Sequence, residues 1–155
     1  MTNSVVCIVS GGQAGADQAG LLAAQMLDIK TGGWAAQNWM TEDGPARWLK
    51  DLGLKEGGTY AARTRMNVRD SDGTVLFGKI TSAGSVWTSC CIREFKKPNL
   101  HFDVPWNMDA RVKYMRDWLA KYKIKTLNVA GNRESVNPGI GAMVVEMLVE
   151  VLGAT

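Results

Sequence analysis

Glycine-rich segments that directly follow apolar runs are the first sign of chemistry in this 155-residue chain. The earliest, residues 10–17, reads Ser-Gly-Gly-Gln-Ala-Gly-Ala-Asp and follows the apolar run at residues 5–9. Glycine permits tight turns and close backbone approach, and the N-terminus of a following helix attracts phosphate. The spacing matches neither the dinucleotide-binding pattern nor the P-loop. A turn that needs glycine for its own geometry is the alternative interpretation.

A second segment of this kind is residues 81–88, Thr-Ser-Ala-Gly-Ser-Val-Trp-Thr, again between a predicted strand and a predicted helix. Gly84, Ser85 and Thr88 can offer backbone and hydroxyl donors to a phosphate. Ordinary capping of the helix by Ser82 or Ser85 explains the same residues. Two such loops on one chain indicate a phosphate site more strongly than either alone.

Arginines near these loops are the candidate anion ligands. Arg133 lies in Gly-Asn-Arg-Glu-Ser at residues 131–135 and can contact phosphate or carboxylate through two donors. Arg63 and Asn67 share one face of a predicted helix and are expected to point at the ligand. An exposed loop arginine is the alternative for Arg133.

Six tryptophans are unusual for this length. Trp34 and Trp39 lie in or near residues 35–58, a stretch without clear periodicity, and can stack on a flat ring. A long irregular loop in a small domain is usually functional or mobile. Packing or interface roles are predicted for the others, namely Trp48, Trp87, Trp106 and Trp118.

The elements that must position these residues alternate between short apolar strands and amphipathic helices. Strands are predicted at residues 5–9, 31–34, 74–77, 100–104 and 126–130. Asn107 is a predicted helix N-cap, and Asn137-Pro138 is predicted to start the last helix. The alternation predicts one α/β domain over residues 1–155. We expect a Rossmann-like, doubly wound, mostly parallel five-stranded sheet with helices on both faces, and ligand beyond the carboxyl ends of its strands.

Composition excludes several classes of protein. Apolar residues make up 46% and charged residues 21%, a globular mix, and the net charge of +3 is too small to indicate nucleic-acid binding. The chain shows neither a signal peptide nor a long apolar run, which predicts a soluble cytoplasmic protein without a membrane partner. Three cysteines and one histidine, His101, predict neither a disulfide framework nor a zinc site. A structural role is expected for His101.

Six short motifs, in this order, resemble the putative molybdenum carrier family of the SLOG superfamily of Rossmann-like domains. They are Gly-Gly-Gln-Ala-Gly-Ala-Asp at 11–17, Gly-Gly-Trp at 32–34, Thr-Glu-Asp-Gly-Pro at 41–45, Tyr-Ala-Ala-Arg-Thr-Arg-Met-Asn-Val at 60–68, Asp-Ser-Asp-Gly-Thr at 70–74 and Asn-Val-Ala-Gly-Asn-Arg-Glu-Ser at 128–135. The resemblance covers nearly the whole chain, from about residue 5 to residue 150.

The resemblance implies a parallel sheet with ligand over its carboxyl edge, a homodimer or homotetramer, and binding of molybdenum cofactor or a nucleotide-derived molecule. Matching motifs imply a common set of ligand-binding residues. Together with the tryptophans Trp34 and Trp39, the set is Gly11, Gly12, Gln13, Gly15, Asp17, Arg63, Asn67, Gly84, Ser85, Thr88, Arg133 and Glu134.

Two departures from the family pattern bear on the ligand. Relatives often carry a basic stretch where residues 35–39 read Ala-Ala-Gln-Asn-Trp, and an uncharged aromatic loop suits a base or flat ring. The catalytic glutamate of the nucleotide-hydrolysing branch aligns with Cys90, which argues against that chemistry.

The resulting hypothesis is a non-catalytic binding or carrier protein for a phosphorylated, ring-containing small molecule, with no metal ligands of its own. One alternative is a protein that sequesters a cyclic-nucleotide or ADP-ribose-type immune signal, for example in phage counter-defence. Another is a nucleotide phosphoribohydrolase that uses Asp17, Glu42, Asp43 or Glu134 as acid or base. A single-stranded DNA-binding module has the least support.

Overall fold

Short strands alternate with longer helices along the computed structural model of the protein, which describes residues 4–103 and 107–153. The strands are β1 (Cys7–Val9), β2 (Lys30–Ala35), β3 (Met40–Thr41), β4 (Gly44–Pro45), β5 (Leu54–Glu56), β6 (Gly73–Phe77), β7 (Asn99–Phe102) and β8 (Thr126–Gly131). The helices are α1 (Ala16–Met26), α2 (Tyr60–Arg69), α3 (Ala83–Phe95), α4 (Met108–Lys121) and α5 (Ile140–Leu152). The predicted strand end at residue 104 and Trp106 lie outside the described residues.

Six strands form one parallel sheet in the order β5-β2-β1-β8-β6-β7. At its centre Ile8 of β1 lies opposite Thr31 of β2 on one side and Leu127 of β8 on the other. Strands β3 and β4 form a separate antiparallel hairpin. The predicted α/β doubly wound fold is therefore confirmed, and its main sheet is parallel throughout.

The predicted number of five strands is wrong, because residues 35–58 contain a sixth strand, β5. It has three residues and pairs only with β2, at the edge of the sheet. Leu54 is buried there, whereas Lys55 and Glu56 are exposed. A segment with one buried side chain has no alternating pattern to detect, so its strand conformation depends on the pairing with β2.

Side chains define the start of three helices. Thr59, Ser82 and Asn107 each accept a hydrogen bond from the backbone N–H three residues further on. The predicted N-cap at Asn107 is therefore confirmed. The predicted start of α5 at Pro138 is wrong, because Gly139 adopts a left-handed conformation with φ of 92° and the helix begins only after it.

The two faces of the central strands differ in character. Phe77 of β6 and Val129 of β8 point into the main apolar core, which α1, α4 and α5 cover. Because successive side chains of a strand alternate between faces, Thr74 and Asn128 point the other way, toward α2 and α3. Asn128 Nδ2 donates to Thr74 Oγ1 at 3.1 Å, and both residues are buried. One face of the sheet thus supplies the core and the other carries buried polar groups.

The helices in the described ranges are too short, or not apolar enough, to cross a bilayer. The longest of them, α4, has 14 residues. A membrane-spanning helix needs about 20 predominantly apolar residues.

Close packing of α1 on β8 makes Gly20 a test of the fold. A Cβ at Gly20 would lie 2.7 Å from Cβ of Val129, in the middle of the core. Overpacking typically costs about 1–3 kcal/mol, more than the roughly 1 kcal/mol that alanine gains over glycine in a helix. We therefore expect Gly20→Ala to lower the free energy of unfolding, measured in urea, by about 1 kcal/mol.

The matched control is Gln25→Ala, at an exposed position of the same helix. It should leave the free energy of unfolding unchanged or raise it slightly. A Gly20→Ala variant as stable as the wild type would contradict the close approach of Gly20 to Val129.

Candidate functional site

A cavity of about 510 Å³ lies beyond the carboxyl ends of β1, β6 and β8, between α2 and α3. Its volume falls in the range of small-molecule sites, about 300–1,000 Å³. Helices α2 and α3 contribute residues to its wall, and so do the loops that follow β1 and β8. The lining residues are Gly11, Gln13, Asp17, Tyr60, Ala61, Arg63, Thr64, Asn67, Ser82, Ala83, Gly84, Trp87, Thr88, Asn128, Ala130, Gly131, Asn132, Arg133, Ser135 and Val136.

Three charged side chains line the cavity: Asp17, Arg63 and Arg133. Arg63 Nη1 donates to Asp17 Oδ2 at 3.2 Å, and the two side chains are only 12% and 5% exposed. Burial raises the pKa of Asp17, and Arg63, the backbone N–H of Gln13 and Arg133 oppose this effect. One carboxylate faces two guanidinium groups, so the cavity keeps a positive balance that favours an anion.

Gln13 holds a buried hydrogen-bond donor that has no partner among the described residues. Its Oε1 accepts from the backbone N–H groups of Ala14 at 3.1 Å and Glu42 at 2.7 Å, which fixes the orientation of the amide. The Nε2 donor is left unpaired, and Nε of Arg63 is in the same state. Because an unpaired buried donor is costly, an acceptor group on a ligand would stabilise this arrangement.

The glycines of the first loop serve different purposes. Gly11 lines the cavity, and a Cβ there would lie 1.7 Å from Nη1 of Arg63, so the guanidinium rests against the glycine. Gly15 has a φ of 98°, and a Cβ there would lie 2.5 Å from the carbonyl oxygen of Asn132. It brings the loop after β1 against the loop after β8. Gly12, also with positive φ, is not among the lining residues.

Helix α2 brings Arg63 and Asn67 to the cavity on one face, as their spacing predicts. Asn67 also holds the helix to β2, because its Oδ1 accepts from the backbone N–H of Trp34 at 2.8 Å and its Nδ2 donates to the Trp34 carbonyl at 3.0 Å. With its amide engaged in this way, Asn67 mainly positions the wall of the cavity that carries Arg63.

The second loop combines helix capping with cavity lining. Ser82 Oγ accepts from the backbone N–H of Ser85 at 3.3 Å, so the capping role is present. Gly84 and Thr88 line the cavity, whereas Ser85 lies buried beside it and accepts from Asn132 Nδ2 at 3.3 Å. The first N–H groups of a helix have no intrahelical partner, so the start of α3 offers donors at this wall.

The structure places Trp34 and Trp39 away from the cavity. The indole N–H of Trp34 donates to Asp70 Oδ2 at 2.9 Å, at the C-terminal end of α2. Trp39 is buried in a separate apolar cluster with Leu49 and Leu54. Neither ring lines the cavity, so neither is placed to stack on a molecule bound there.

Tyr60 and Trp87 are the aromatic residues that do line the cavity, and sequence reasoning missed them. They are 39% and 38% exposed, and the indole N–H of Trp87 donates to the carbonyl of Ala61 at 2.9 Å, which fixes the ring. The ring of Tyr60 faces the guanidinium of Arg133 at 5.2 Å. The available signal was the position of Trp87 within residues 81–88, the second glycine-containing loop.

The third loop contains Arg133 and Glu134, which have different roles. Arg133 lines the cavity. The carboxylate of Glu134 accepts from the backbone N–H groups of Gly139 and Gly141, so it caps α5 and does not line the cavity. Asn132 of the same loop, a lining residue without a predicted role, binds the loop after β6.

His101 and the cysteines lie outside this chemistry. His101 Nε2 lies 2.6 Å from the carbonyl oxygen of Gly78, at the end of β6. Burial raises the pKa of the Cys91 thiol to about 11, which keeps it protonated at neutral pH. Within residues 4–103 and 107–153, no three side chains of the metal-binding types gather in one place.

The balance between Asp17 and the arginines predicts a pH dependence of anion binding. Burial raises the pKa of Asp17, so its negative charge is lost as the pH falls and its competition with an anion for Arg63 ends. Sulfate keeps a constant charge over the range and is the suitable probe. We expect sulfate affinity, measured calorimetrically, to rise about three- to tenfold as the pH falls from about 7 to the ordinary range of an aspartate, about pH 4.

Asp17→Asn is the matched control, since it keeps the shape of the side chain and removes its titration. This variant should bind sulfate more tightly than the wild type at neutral pH and show a flat profile. An equally steep profile in Asp17→Asn would assign the pH dependence to another group.

The contact between Gly11 and Arg63 gives a second prediction. A methyl group at residue 11 must displace the guanidinium, which removes a charged donor from the cavity. Gly11→Ala should therefore weaken binding of inorganic phosphate about tenfold or more, as the loss of a charged hydrogen bond does. Gly32→Ala, where a Cβ meets its nearest neighbours at 3.9 Å, is the control and should bind normally. Normal binding by Gly11→Ala would remove Arg63 from the anion site.

Comparisons with known proteins agree with the fold. The family model described as the circularly permutated YpsA SLOG family matches residues 8–152. A crystal structure of a putative molybdenum carrier protein from Syntrophus aciditrophicus SB superposes with a TM-score of 0.90 at 34% identity, covering 99% of this chain and 98% of the other. A search of curated protein sequences found no match.

A second solved structure, (E)-4-hydroxy-3-methyl-but-2-enyl diphosphate reductase, gives a TM-score of 0.41 at 11% identity. The match covers 94% of this chain and 59% of the reductase. A likeness this remote carries no information about the chemistry of the cavity.

Proposed function

The chain belongs to the circularly permutated YpsA SLOG family, and from its cavity we propose a non-catalytic binding or carrier protein for a phosphorylated, ring-containing small molecule. The observation that carries the proposal is the unpaired Nε2 donor of Gln13, buried beside two arginines that only one lining carboxylate balances. A phosphoryl group supplies both the acceptor and the negative charge that this arrangement lacks.

The proposed phosphoryl site lies where parallel α/β sheets bind ligands, beyond the carboxyl ends of the strands at the point where the strand order reverses. The chain runs outward from β1 to β2 and β5, and then returns to the other half of the sheet at β6. Loops after β1 and β8 therefore meet, bringing Gln13 and Arg133 to one cavity. Arg63 adds the second guanidinium from α2.

The proposed ring site is the wall formed by Tyr60 and Trp87. Both rings are more than one-third exposed while lining a concave surface, and Trp87 is fixed by its bond to Ala61. Exposed aromatic rings at a cavity are suited to stacking against a planar group at low entropic cost. Such a wall accommodates a pterin or a nucleobase equally well.

The solved relative described as a putative molybdenum carrier protein suggests molybdenum cofactor as the cargo. In the described ranges no cluster of three metal-binding side chains is present, so such cargo would be held through its pterin and phosphate. A cyclic-nucleotide or ADP-ribose-type signal meets the same requirements, and its sequestration, for example in phage counter-defence, is the alternative within the proposal. A homodimer or homotetramer, which the family resemblance implies, remains a prediction.

Hydrolysis of a nucleotide is the second candidate function, and Asp17 is the observation in its favour. Of the four candidate acids, Asp17, Glu42, Asp43 and Glu134, it is the one that lines the cavity. Burial raises the pKa of Asp17, as general acid catalysis requires. Release of free base from nucleoside monophosphates, abolished in Asp17→Asn, would establish this function. Unchanged nucleotide after prolonged incubation would exclude it for those substrates.

The experiment that tests the proposal starts from the purified protein. Heat denaturation followed by mass spectrometry identifies any bound small molecule, and an elemental assay measures molybdenum. A pterin mass with stoichiometric metal supports the carrier, and an intact nucleotide supports the sequestering protein. Protein that is empty and binds no phosphate, pterin or nucleotide on incubation would contradict both.

Arg133 is proposed to bind the phosphoryl group of the ligand, and Trp87 is proposed to stack on its ring. With the ligand so identified, Arg133→Ala should weaken binding by about 1.5–3 kcal/mol, the range of a charged hydrogen bond. Trp87→Ala should cost about 1–3 kcal/mol if the ring stacks. Isothermal titration calorimetry measures both.

Two controls separate these effects from general loss of charge or structure. Arg47→Ala removes an exposed arginine outside the cavity, and Trp34→Ala removes the ring bonded to Asp70. Both should bind the ligand normally. A loss in Trp34→Ala that equals the loss in Trp87→Ala would contradict the proposed ring site.

A further inference from the structure

Glu42, at the tip of the β3–β4 hairpin, binds a residue of the cavity 93 positions away in the chain. The backbone N–H of Ser135 donates to Glu42 Oε2 at 3.1 Å, and the Ser135 hydroxyl donates to Glu42 Oε1 at 2.5 Å. Both carboxylate oxygens are thus held by the two donors of one residue. Ser135 is also a lining residue of the cavity.

We infer that the N–H and hydroxyl of Ser135 form a second anion subsite, which Glu42 fills with its own carboxylate until a second phosphoryl group of the ligand displaces it. The inference rests on the proposed function and narrows its ligand to molecules with two neighbouring anionic groups, such as a diphosphate. A carboxylate and a phosphoryl group require the same donors, so the intramolecular contact marks what the subsite recognises.

The loop that presents Ser135 is shaped for this purpose by its own backbone. The N–H groups of Val136 and Asn137 both donate to the carbonyl of Arg133, which closes a tight turn around residues 133–137. The turn leaves the N–H and hydroxyl of Ser135 for Glu42, two positions from a guanidinium that lines the cavity. An anion at Ser135 would therefore lie near the positive charge of Arg133.

Glu42 does not depend on a cation of its own. Among residues 4–103 and 107–153, no lysine or arginine nitrogen lies within 4.0 Å of its carboxylate. Departure of the carboxylate therefore breaks two hydrogen bonds, both to Ser135, and strands no positive charge. An incoming phosphoryl group restores both bonds and takes the place of the carboxylate near the positive charge of Arg133.

The exchange requires rotation of a side chain and no movement of the hairpin. The backbone N–H of Glu42 donates to Gln13 Oε1 at 2.7 Å, and Thr41 Oγ1 closes the tip by donating to the Gly44 carbonyl and accepting from the N–H of Asp43. The tip thus stays bound to the amide of Gln13, whose Nε2 belongs to the proposed phosphoryl site, here called the first anion site. The two subsites are adjacent, as two linked phosphoryl groups require.

The test compares inorganic phosphate with inorganic pyrophosphate as probes, by calorimetry at one pH and ionic strength. Glu42→Gln keeps the length of the side chain and removes the charge that competes for Ser135. We expect this variant to bind pyrophosphate about tenfold more tightly than the wild type, with less than about a twofold change for phosphate. Asp43→Asn, the same charge change at the exposed neighbour, should leave both affinities unaltered.

Ser135→Ala in the Glu42→Gln background should reverse the gain for pyrophosphate and leave phosphate binding intact. Equal pyrophosphate affinity in Glu42→Gln and wild type, with normal phosphate binding, would overturn the second subsite alone. Wild-type protein that binds neither probe would contradict the first anion site, and with it both the proposed function and this inference. A gain in Asp43→Asn equal to that in Glu42→Gln would reduce the effect to overall charge and overturn the inference.

Discussion

The buried ion pair between Asp17 and Arg63 is the interaction on which the geometry of the cavity depends. It joins the first turn of α1 to α2 across the end of β1, and Asp17 also accepts the backbone N–H of Gln13. The hydroxyl of Ser10 donates to the Asp17 carbonyl, so both the backbone and the side chain of Asp17 bind the loop after β1. Residue 11 must then be glycine, because the guanidinium of Arg63 occupies the space that a Cβ would need. Burying such a pair costs desolvation, and a ligand that needs Arg63 in place gives a reason for its presence.

The fold and much of the site could be predicted because they follow from local patterns. Alternating apolar runs and amphipathic helices predict the parallel sheet, and helical spacing brings Arg63 and Asn67 to one face. The orientation of Trp34 and Trp87 was not predictable, because it depends on acceptors supplied by other elements, Asp70 and the Ala61 carbonyl. Strand conformation at β5 likewise depends on a neighbour, β2, and not on the sequence of β5 itself.

Two residues show why composition and motif alone assign roles incompletely. Glu134 belongs to the same motif as Arg133, yet its carboxylate serves the N-terminus of α5, where backbone N–H groups and the helix dipole favour a negative charge. Asn128 lies within a strand, where an apolar residue is expected, because its face of the sheet borders the cavity rather than the core. The face of the sheet decides the role of Asn128, whereas the nearby start of α5 decides that of Glu134.

The place of β8 in the sheet has a consequence for how the protein is made. It follows the seven other described strands in sequence and yet lies between β1 and β6, pairing with both. Until residues 126–131 have emerged from the ribosome, β1 and β6 lack the strand that pairs with both. The loop that bears Arg133 and Ser135 emerges later still. Proteins generally fold from the N-terminus during synthesis. Here that order leaves the cavity incomplete until β8 has been synthesised and has joined β1 to β6.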